Sequence, residues 1–377
     1  MQIGSAASLL QRLVAIPSVN PREADRPAEA AMAEAVADWL RGAGVAVEIQ
    51  TVLPGRPNVL GRVRGRDRSR TLLLESHLDT VEIDGMAVAP FGAEIGEGRL
   101  YGRGACDAKG PLAAMMLAVA ALARDAPPPV EVLLAAVMDE EHRYRGVTAL
   151  VERGEPVAAA IVGEPTDLDL IVAHKGCVRF TVTTHGRACH SANPREGDNA
   201  IMAMADLLAY IRRELEPGAS AKVHTRVGPA TLCVSLIQGG SAVNAVPASC
   251  TIHCDRRTLP GEEPRAVWAG YRDTLQGLAP GKITVNEPYL IDYAMDTDPG
   301  APVVRALESA VRDAGRPAAV RGVSYGTDAS KLARAGIPSV VFGPGSILQA
   351  HSADEWIELD QVEEAATILL RVIRAFA

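Results

Sequence analysis

Acidic and histidine side chains follow several short apolar runs of this 377-residue chain, at the points where buried strands would end. Residues 132–138 are wholly apolar and are followed at once by Asp139, Glu140 and Glu141. Such a run predicts a strand buried on both faces of a parallel sheet. Ionised carboxylates crowded at its end repel one another and are costly to desolvate without partners. Because no Lys or Arg lies among them in the sequence, a divalent metal ion is the simplest source of positive charge.

Further imidazole and carboxylate groups lie at or just beyond the end of a predicted buried strand, or in a glycine-rich turn. The whole set is His77, Asp79, Asp107, Glu140, Glu141, Glu164 and His351. Because ligands bind at the carboxyl ends of strands in open α/β sheets, we expect these side chains to meet at one edge. Imidazole with carboxylate suits zinc, and cobalt or manganese can replace it. A lone His or Glu in a loop is more often solvated surface, so the prediction depends on the joint arrangement.

The elements that must position these residues alternate between strand and helix. Strands are predicted at 45–51, 58–63, 71–76, 132–138, 158–162, 170–173 and 339–342, and helices at 5–15, 27–41, 111–125, 147–153, 301–313 and 360–375. This alternation predicts an α/β fold with a mostly parallel sheet flanked by helices.

The pattern changes near residue 177. Three segments, 177–184, 232–237 and 250–255, alternate apolar and polar residues, which is typical of an antiparallel sheet with one solvated face. Together with helices predicted at 197–215 and 262–277, they indicate a smaller α+β domain. We predict that this domain spans 177–292 and is inserted into a catalytic metal-binding domain formed by 1–176 and 293–377.

Composition restricts the partners and the compartment. A net charge of −8, with 48% hydrophobic and 22% charged residues, indicates a soluble globular protein and argues against nucleic acid or a membrane surface as partner. None of the six cysteines forms a C-x-x-C pair, which favours reduced thiols in a cytoplasmic protein over disulfides or a thiolate zinc site. We expect no signal peptide, and no apolar run approaches the roughly 18 residues of a membrane span.

Five segments together resemble the dizinc aminoacylase and carboxypeptidase family, which includes acetylornithine deacetylase, succinyl-diaminopimelate desuccinylase and glutamate carboxypeptidase. They are SHLDTV at 76–81, GRGACDAKG at 102–110, MDEE at 138–141, GEPT at 163–166 and AHSADE at 350–355. The resemblance covers nearly the whole chain, in order and with compatible spacing. It implies a zinc-exopeptidase type of catalytic domain, with the inserted domain serving as a lid and dimerisation domain.

The resemblance also implies two divalent metal ions, zinc with cobalt or manganese as possible substitutes. Asp107 would bridge the two ions. His77 and Glu164 would complete one site, and Glu141 and His351 would complete the other. Two divalent ions about 3.5–4 Å apart lower the pKa of a bridging water and polarise a carbonyl group, so the implied chemistry is amide hydrolysis.

Two further carboxylates take catalytic roles by the same resemblance. Glu140 would be the general base that takes the proton of the water and hands it to the leaving amine. We expect Glu140 to point away from Glu141 because adjacent strand residues face opposite sides. Asp79 would fix the ring of His77 by a hydrogen bond, and Asp139 is expected to be structural.

The inserted domain carries three further segments that resemble the family. In RACHSANP at 187–194, His190 would reach the active site of the partner subunit and steady the oxyanion, which implies a homodimer. Asn244 in 239–247 and Arg257 in 255–261 would hold a substrate carboxylate. Arg256 is expected to be solvated. Asp328, in GTDA at 326–329, is either a contact to a substrate amine or a structural turn residue.

We therefore expect a metal-dependent amidohydrolase that removes the acyl group from an N-acyl amino acid, like acetylornithine deacetylase. A succinyl-diaminopimelate desuccinylase, or a metallo-carboxypeptidase or dipeptidase acting on a short peptide, uses the same machinery, and the motifs do not separate these. A non-catalytic metal- or ligand-binding protein is disfavoured because every expected position is filled. A nucleophilic hydrolase is disfavoured because Ser191 beside His190 lacks a G-x-S-x-G context.

Overall fold

The computed structural model describes residues 5–22 and 28–376, so residue 27 of the helix predicted at 27–41 lies outside the described residues. The helices are α1 Ala6–Val14, α2 Ala30–Gly42, α3 Gly110–Leu122, α4 Arg145–Glu152, α5 Ala200–Tyr210, α6 Glu216–Ser220, α7 Pro264–Leu278, α8 Pro302–Asp313, α9 Ala329–Arg334 and α10 Leu359–Ala375. The strands are β1 Ala46–Leu53, β2 Arg56–Val63, β3 Asp67–His77, β4 Glu94–Gly96, β5 Arg99–Tyr101, β6 Val130–Val137, β7 Val157–Val162, β8 Leu170–His174, β9 Gly176–His185, β10 Val223–His224, β11 Gly228–Pro229, β12 Thr231–Gly239, β13 Ser249–Thr258, β14 Ile283–Val285, β15 Leu290–Asp292, β16 Met295–Asp296, β17 Val320–Val323, β18 Ser339–Val341 and β19 Trp356–Glu358.

These elements form two compact units. The first comprises the described parts of Met1–Val172, Thr297–Arg321 and Thr327–Ala377, and the second comprises Ala173–Asp296 and Gly322–Gly326. The segment predicted as an inserted domain, 177–292, lies within the second unit.

The first unit is built on a sheet whose centre is parallel. Its strands β6, β3, β7 and β18 are neighbours in that order and run in the same direction. Strands β2 and β1 extend the sheet beyond β6 in antiparallel orientation. β6 is buried along its whole length, as the apolar run predicted. The prediction of an α/β fold with a central, mostly parallel sheet flanked by helices is confirmed.

Helix α3 lies at the centre of the first unit and contacts α10, β3 and β6. Within the described residues, one helical stretch, Ala105–Leu122, has the length and apolar composition of a membrane span, and 89% of it is buried inside the protein. Its apolar side chains belong to the main hydrophobic core, with Met115 and Val119 fully buried. Packing in this core therefore accounts for the composition of α3.

The second unit contains an antiparallel sheet in the order β12, β13, β9 and β14, with β15 also paired to β9. Along β13, buried and less buried residues alternate, as the sequence pattern predicted. Ile252 of β13 packs with Met204 of α5 and Trp268 of α7 in a second hydrophobic core. One face of this sheet is therefore covered by helices.

Candidate metal centre

His77 is the last residue of β3. Its Nδ1 lies 2.9 Å from the main-chain carbonyl oxygen of Asp79, and because a carbonyl only accepts, the ring carries a proton on Nδ1. In the neutral ring the lone pair is then on Nε2, which lies 3.0 Å from Oδ1 of Asp107 and 3.9 Å from Oε2 of Glu164. The Asp79 carboxylate is farther from the ring, with 3.6 Å between Oδ1 and Nδ1. The main chain of Asp79 thus makes the shorter contact that orients the ring.

Asp107 lies between two histidines. Its Oδ1 is 3.0 Å from Nε2 of His77, and its Oδ2 is 3.2 Å from Nε2 of His351. It is carried by the turn Ala105–Lys109, immediately before α3, in which the Asp107–Ala108 peptide bond is cis. A carboxylate that presents one oxygen to each side is able to bind two ions, as a bridging role requires.

Two groups of three side chains meet at Asp107. One group is His77, Asp107 and Glu164, and the other is Asp107, Glu141 and His351; the ligand atoms within each group lie within 4.8 Å of one another. These are the two ligand sets that the family resemblance implies. Imidazole nitrogen with carboxylate oxygen is a donor set for zinc that cobalt and manganese share. The residues present therefore fit two divalent metal ions.

The charges of this cluster favour cations. Burial first, and the charge of Asp107 second, raise the pKa of Glu164 well above its usual value and also raise the pKa of Glu141. Hydrogen bonds with Asp107 and Glu141 raise the pKa of His351 to about 10. Burial alone would raise the pKa of Asp107, but hydrogen bonds with the protonated rings of His351 and His77 lower it. Divalent ions would supply the positive charge that these carboxylates otherwise obtain from protons.

Glu140 and Glu141 lie in a turn after β6, which ends at Val137. Asp139 has a left-handed backbone, with a φ of 71°, so the expected alternation of strand neighbours is the wrong reason for separating Glu140 from Glu141. The main chain places both residues instead. The N–H groups of Glu140 and Glu141 donate to Oδ1 and Oδ2 of Asp79, each at 3.1 Å. The Asp79 carboxylate therefore holds the turn that carries both residues.

The Glu140 carboxylate lies beside the metal-ligand candidates. One of its oxygens is within 4.8 Å of ligand atoms of both His77 and Glu141. Burial, followed by the charge of Glu164, raises the pKa of Glu140 well above its usual value. A carboxylate in this position, beside the candidate metal ligands, is suited to take a proton from a water and to return it.

A buried network of charged residues that contacts this turn was not predicted from the sequence. Asp139 accepts hydrogen bonds from Arg56 at 3.1 Å, from Arg145 at 2.5 and 3.0 Å, and from Asn20 at 3.0 Å. The amide of Asn20 also donates to Oδ2 of Asp79 at 2.7 Å. Asp139 is therefore structural, as expected, but arginines from other segments neutralise it. The inference that a metal ion must balance all three carboxylates after β6 is wrong for Asp139.

In the second unit, two loop segments bring His190 and Asn244 together. His190 forms an isolated antiparallel bridge with Ala245, and the N–H of Ser191 donates to the carbonyl of Asn244 at 3.0 Å. The N–H of Ala192 donates to Nδ1 of His190 at 3.1 Å, so the neutral ring carries its proton on Nε2. His190 is thus an exposed hydrogen-bond donor adjacent to Asn244.

Arg256 and Arg257 face opposite sides of β13. Nε of Arg257 lies 3.0 Å from Oδ1 of Asp255, and both residues line a cavity of about 500 Å³ within the second unit. Arg256 is only 1% exposed and donates to the hydroxyl of Tyr271 and to Glu262, both at 3.1 Å. The expectation of a solvated Arg256 is wrong, because this face of β13 is covered by helices.

Asp328 precedes α9 and is buried. Burial raises the pKa of Asp328 to about 6. Burial, with the charge of Asp328 as a second cause, raises the pKa of Glu75 well above its usual value. Asp328 thus belongs to a buried pair of carboxyl groups, and a contact with a substrate amine stays a prediction.

Comparison with known proteins shows what the chain resembles as a whole. The model of peptidase family M20/M25/M40 matches residues 73–375, from before His77 to beyond His351. An M20 family metallo-carboxypeptidase from Sulfolobus solfataricus superposes with a TM-score of 0.83 at 19% identity, covering 99% of each chain. Human carnosine dipeptidase 1 gives 0.74 at 19% identity, covering 98% of this chain and 95% of that one. A dinuclear metal-binding M20 peptidase from Bacillus subtilis gives 0.72 at 17% identity, covering 98% and 96%.

Proposed function

This chain belongs to peptidase family M20/M25/M40 and is a metallohydrolase of amide or peptide bonds, and from that premise we propose that it removes the acyl group from an N-acyl amino acid, as acetylornithine deacetylase does. The observation that carries the proposal is the carboxylate of Asp107 between His77 and His351, with Glu140 beside them. This arrangement combines a place for two cations with a base for water. A succinyl group in place of acetyl, as in succinyl-diaminopimelate desuccinylase, is compatible with the same centre.

The reaction follows from the roles of the residues at the centre. Two bound divalent ions, zinc in our proposal with cobalt or manganese as substitutes, would polarise the substrate carbonyl and lower the pKa of the attacking water. Glu140 takes the proton of that water and passes it to the leaving amine. Asp79 keeps the Glu140–Glu141 turn in place through its two hydrogen bonds. The ligands would be His77, Asp107 and Glu164 at one ion, and Asp107, Glu141 and His351 at the other.

Residues of the second unit supply substrate binding in this proposal. Arg257 and Asn244 hold the carboxylate of the amino acid, for which a guanidinium and an amide are suitable donors. His190 donates from Nε2 to the developing oxyanion, and the hydrogen bond of Ala192 to its Nδ1 supports this tautomer. Following the family resemblance, His190 serves the active site of the partner subunit.

We further propose a homodimer, in which the second unit is the dimerisation domain, and a cytoplasmic location. The edge strand β12 exposes Leu236 and Ile237, and α5 exposes Met202. An open strand edge with apolar side chains pairs readily with a second copy. Unpaired cysteines such as Cys106 and Cys233 support a reducing compartment.

A second candidate function is the cleavage of short peptides as a carboxypeptidase or dipeptidase. The names of the similar structures favour it, because they include a metallo-carboxypeptidase and a carnosine dipeptidase. The same centre and the same carboxylate clamp would serve this reaction. In the first function the amine is released from a simple acyl group such as acetyl or succinyl. In the second it is released from the carbonyl group of another amino acid.

The experiment that tests the proposal is the release of primary amine from a substrate panel, with added zinc and with a chelator. The panel contains N-acetylornithine, N-succinyl-diaminopimelate, other N-acyl amino acids and several dipeptides. Metal-dependent release from one acyl amino acid is the expected result and identifies the acyl group. Release from dipeptides alone would establish the second candidate, and a chain that binds metal but hydrolyses nothing would contradict both.

The variant His190→Ala is expected to lower kcat by about 10²-fold or more, because it removes one hydrogen-bond donor to the oxyanion. Bound metal is expected to stay unchanged, because His190 is not among the candidate ligands. Steady-state kinetics and metal content per chain measure both effects. His185→Ala, which changes another exposed histidine of the second unit, is the matched control with unchanged kcat. Loss of metal in proportion to kcat would show that His190 is a ligand or a structural residue.

A further inference from the structure

Glu355 is a charged residue that is fully buried, four positions after His351. Its place is determined by a short antiparallel strand pair in which Trp356 of β19 lies opposite Tyr101 of β5. The residues after β5 form the turn that leads to Asp107. The strand pair therefore brings Glu355 directly beside that turn.

The carboxylate of Glu355 binds the main chain of the turn at three points. Its Oε1 accepts from the N–H groups of Cys106 at 2.9 Å and Asp107 at 3.0 Å, and its Oε2 accepts from the N–H of Gly104 at 3.0 Å. Gly104 has a left-handed φ of 82°, and a Cβ at this position would lie 2.7 Å from Cγ2 of Thr80. Glycine is therefore required for the backbone to direct these N–H groups at one carboxylate.

Arg103 completes the environment of Glu355. Its Nη1 donates to Oε2 at 2.8 Å, and its Nε donates to the carbonyl of Glu82 at 3.0 Å. Each oxygen of Glu355 thus accepts two hydrogen bonds, which uses the four acceptor positions of an ionised carboxylate. Because all four donors lack acceptor capacity, a side chain with fewer than two acceptor oxygens cannot satisfy them.

We propose that Glu355 is a positioning residue of the metal centre, whose carboxylate holds the Asp107 turn against the segment that carries His351. Glu355 binds the main-chain N–H of Asp107, whose own carboxylate must reach two histidines at 3.0 and 3.2 Å. One side chain therefore couples the bridging candidate to a ligand of the second ion. The inference rests on the proposed function only in taking this centre to bind metal.

The test is Glu355→Gln, which keeps the size of the side chain but replaces one acceptor oxygen with a donor. We expect the affinity for cobalt or zinc to fall by about 10–100-fold, as is usual when a group that orients metal ligands is changed. Affinity is measured by competition with a chromophoric chelator, and the absorption spectrum of the cobalt form is recorded beside it. If Glu355 acts by positioning, saturating metal restores most of kcat, whereas loss of a reacting group is not reversed by metal.

The matched control is Glu358→Gln. Glu358 lies three residues later in the same segment, is more than one-third exposed and pairs with Arg99. The same change of chemistry there is expected to leave the metal affinity and the cobalt spectrum at their wild-type values. Thermal unfolding of both variants shows whether a change in affinity accompanies an intact fold.

The outcomes decide between the alternatives. A folded Glu355→Gln variant with wild-type affinity for both ions would overturn the inference. If this variant does not fold, Glu355→Asp is measured instead, since the shorter side chain keeps the charge but withdraws the carboxylate from the three main-chain N–H groups. Wild-type affinity in a folded Glu355→Asp variant would then overturn the inference, and a weaker affinity would support it. A wild-type chain that binds two ions but hydrolyses no amide contradicts the proposed function and leaves the affinity test of Glu355 intact.

Discussion

Replacement of Glu140 by glutamine is expected to remove nearly all turnover while bound metal stays in place. The amide cannot accept the proton of the attacking water, and general acid–base groups contribute about 10²–10⁴-fold to kcat. The carboxylate lies within 4.8 Å of ligand atoms of His77 and Glu141, close enough to serve a water held at that centre. The measurements are kcat on the substrate identified by the panel and metal content per chain.

Glu141→Gln is the matched comparison variant for this experiment. It carries the same change one residue later in the same turn, and we expect it to weaken the binding of one ion because Glu141 belongs to the group with Asp107 and His351. A Glu140→Gln variant that retains substantial kcat would refute the general-base assignment. A variant that instead loses metal would make Glu140 a ligand, in the alternative group with His77 and Glu141.

Removal of the divalent ions is expected to abolish turnover and to make the folded chain less stable as the pH rises. Burial, then the charge of Glu164, raise the pKa of Glu140, and burial, then the charge of Asp107, raise the pKa of Glu164. A carboxyl group whose pKa is raised by folding binds its proton more tightly in the folded chain. Its contribution to stability therefore falls as the pH rises above the ordinary value of 4.5.

His351 also makes the metal-free chain less stable as the pH rises. Hydrogen bonds with Asp107 and Glu141 raise the pKa of His351 to about 10, so its stabilising contribution is complete below the ordinary value and is lost as the pH rises toward 10. Asp107 has a lowered pKa and acts in the opposite direction, but only at pH values below its ordinary one. Each proton bound in excess by the folded chain changes the free energy of unfolding by about 1.4 kcal/mol per pH unit.

The measurement is Tm of the chelator-dialysed and the metal-loaded protein between about pH 5 and pH 9. Metal binding needs deprotonated ligands, so the ions stabilise the folded chain more as the pH rises. We expect the difference in Tm between the two forms to widen with pH, and addition of zinc to the dialysed protein to restore both Tm and turnover. A difference that is constant, or that widens toward low pH, would show that these buried carboxylates do not hold the ions.

Much of the fold was predictable because its signals are local. Runs that are wholly or largely apolar identified β3, β6 and β7 as buried strands, and parallel neighbours of this kind bring their carboxyl ends to one edge. The predicted bounds were shorter than the observed ones. β3 begins at Asp67 rather than at residue 71. The prediction missed the first residues of the strand because they are polar, with Arg68 exposed and Arg70 only partly buried. Hydrophobic periodicity identifies the buried part of a strand and passes over its solvated start.

The contacts behind the centre were not predictable, since they join distant residues. Arg56 and Asp139 are 83 residues apart, and Asn20 and Asp139 are 119 apart. Glu355 and Cys106 are separated by 249 residues. The charged and amide residues among them, considered alone in the sequence, are of types that are common in solvated loops. Only burial with a specific partner distinguishes it from one.

The sequence by itself determined the chemistry of this protein: the imidazole and carboxylate set, its order along the chain and the strand ends that carry it. These features depend on residue type and on local periodicity, which the sequence contains directly. The tertiary structure decided which carboxylates remain without a cationic side chain and which are neutralised. In the folded chain Asp139 pairs with Arg56 and Arg145, and the left-handed backbone conformation of Asp139 sets the directions of Glu140 and Glu141. Pairings of this kind depend on which side chains lie opposite each other after the sheet has assembled, and no local pattern records that arrangement.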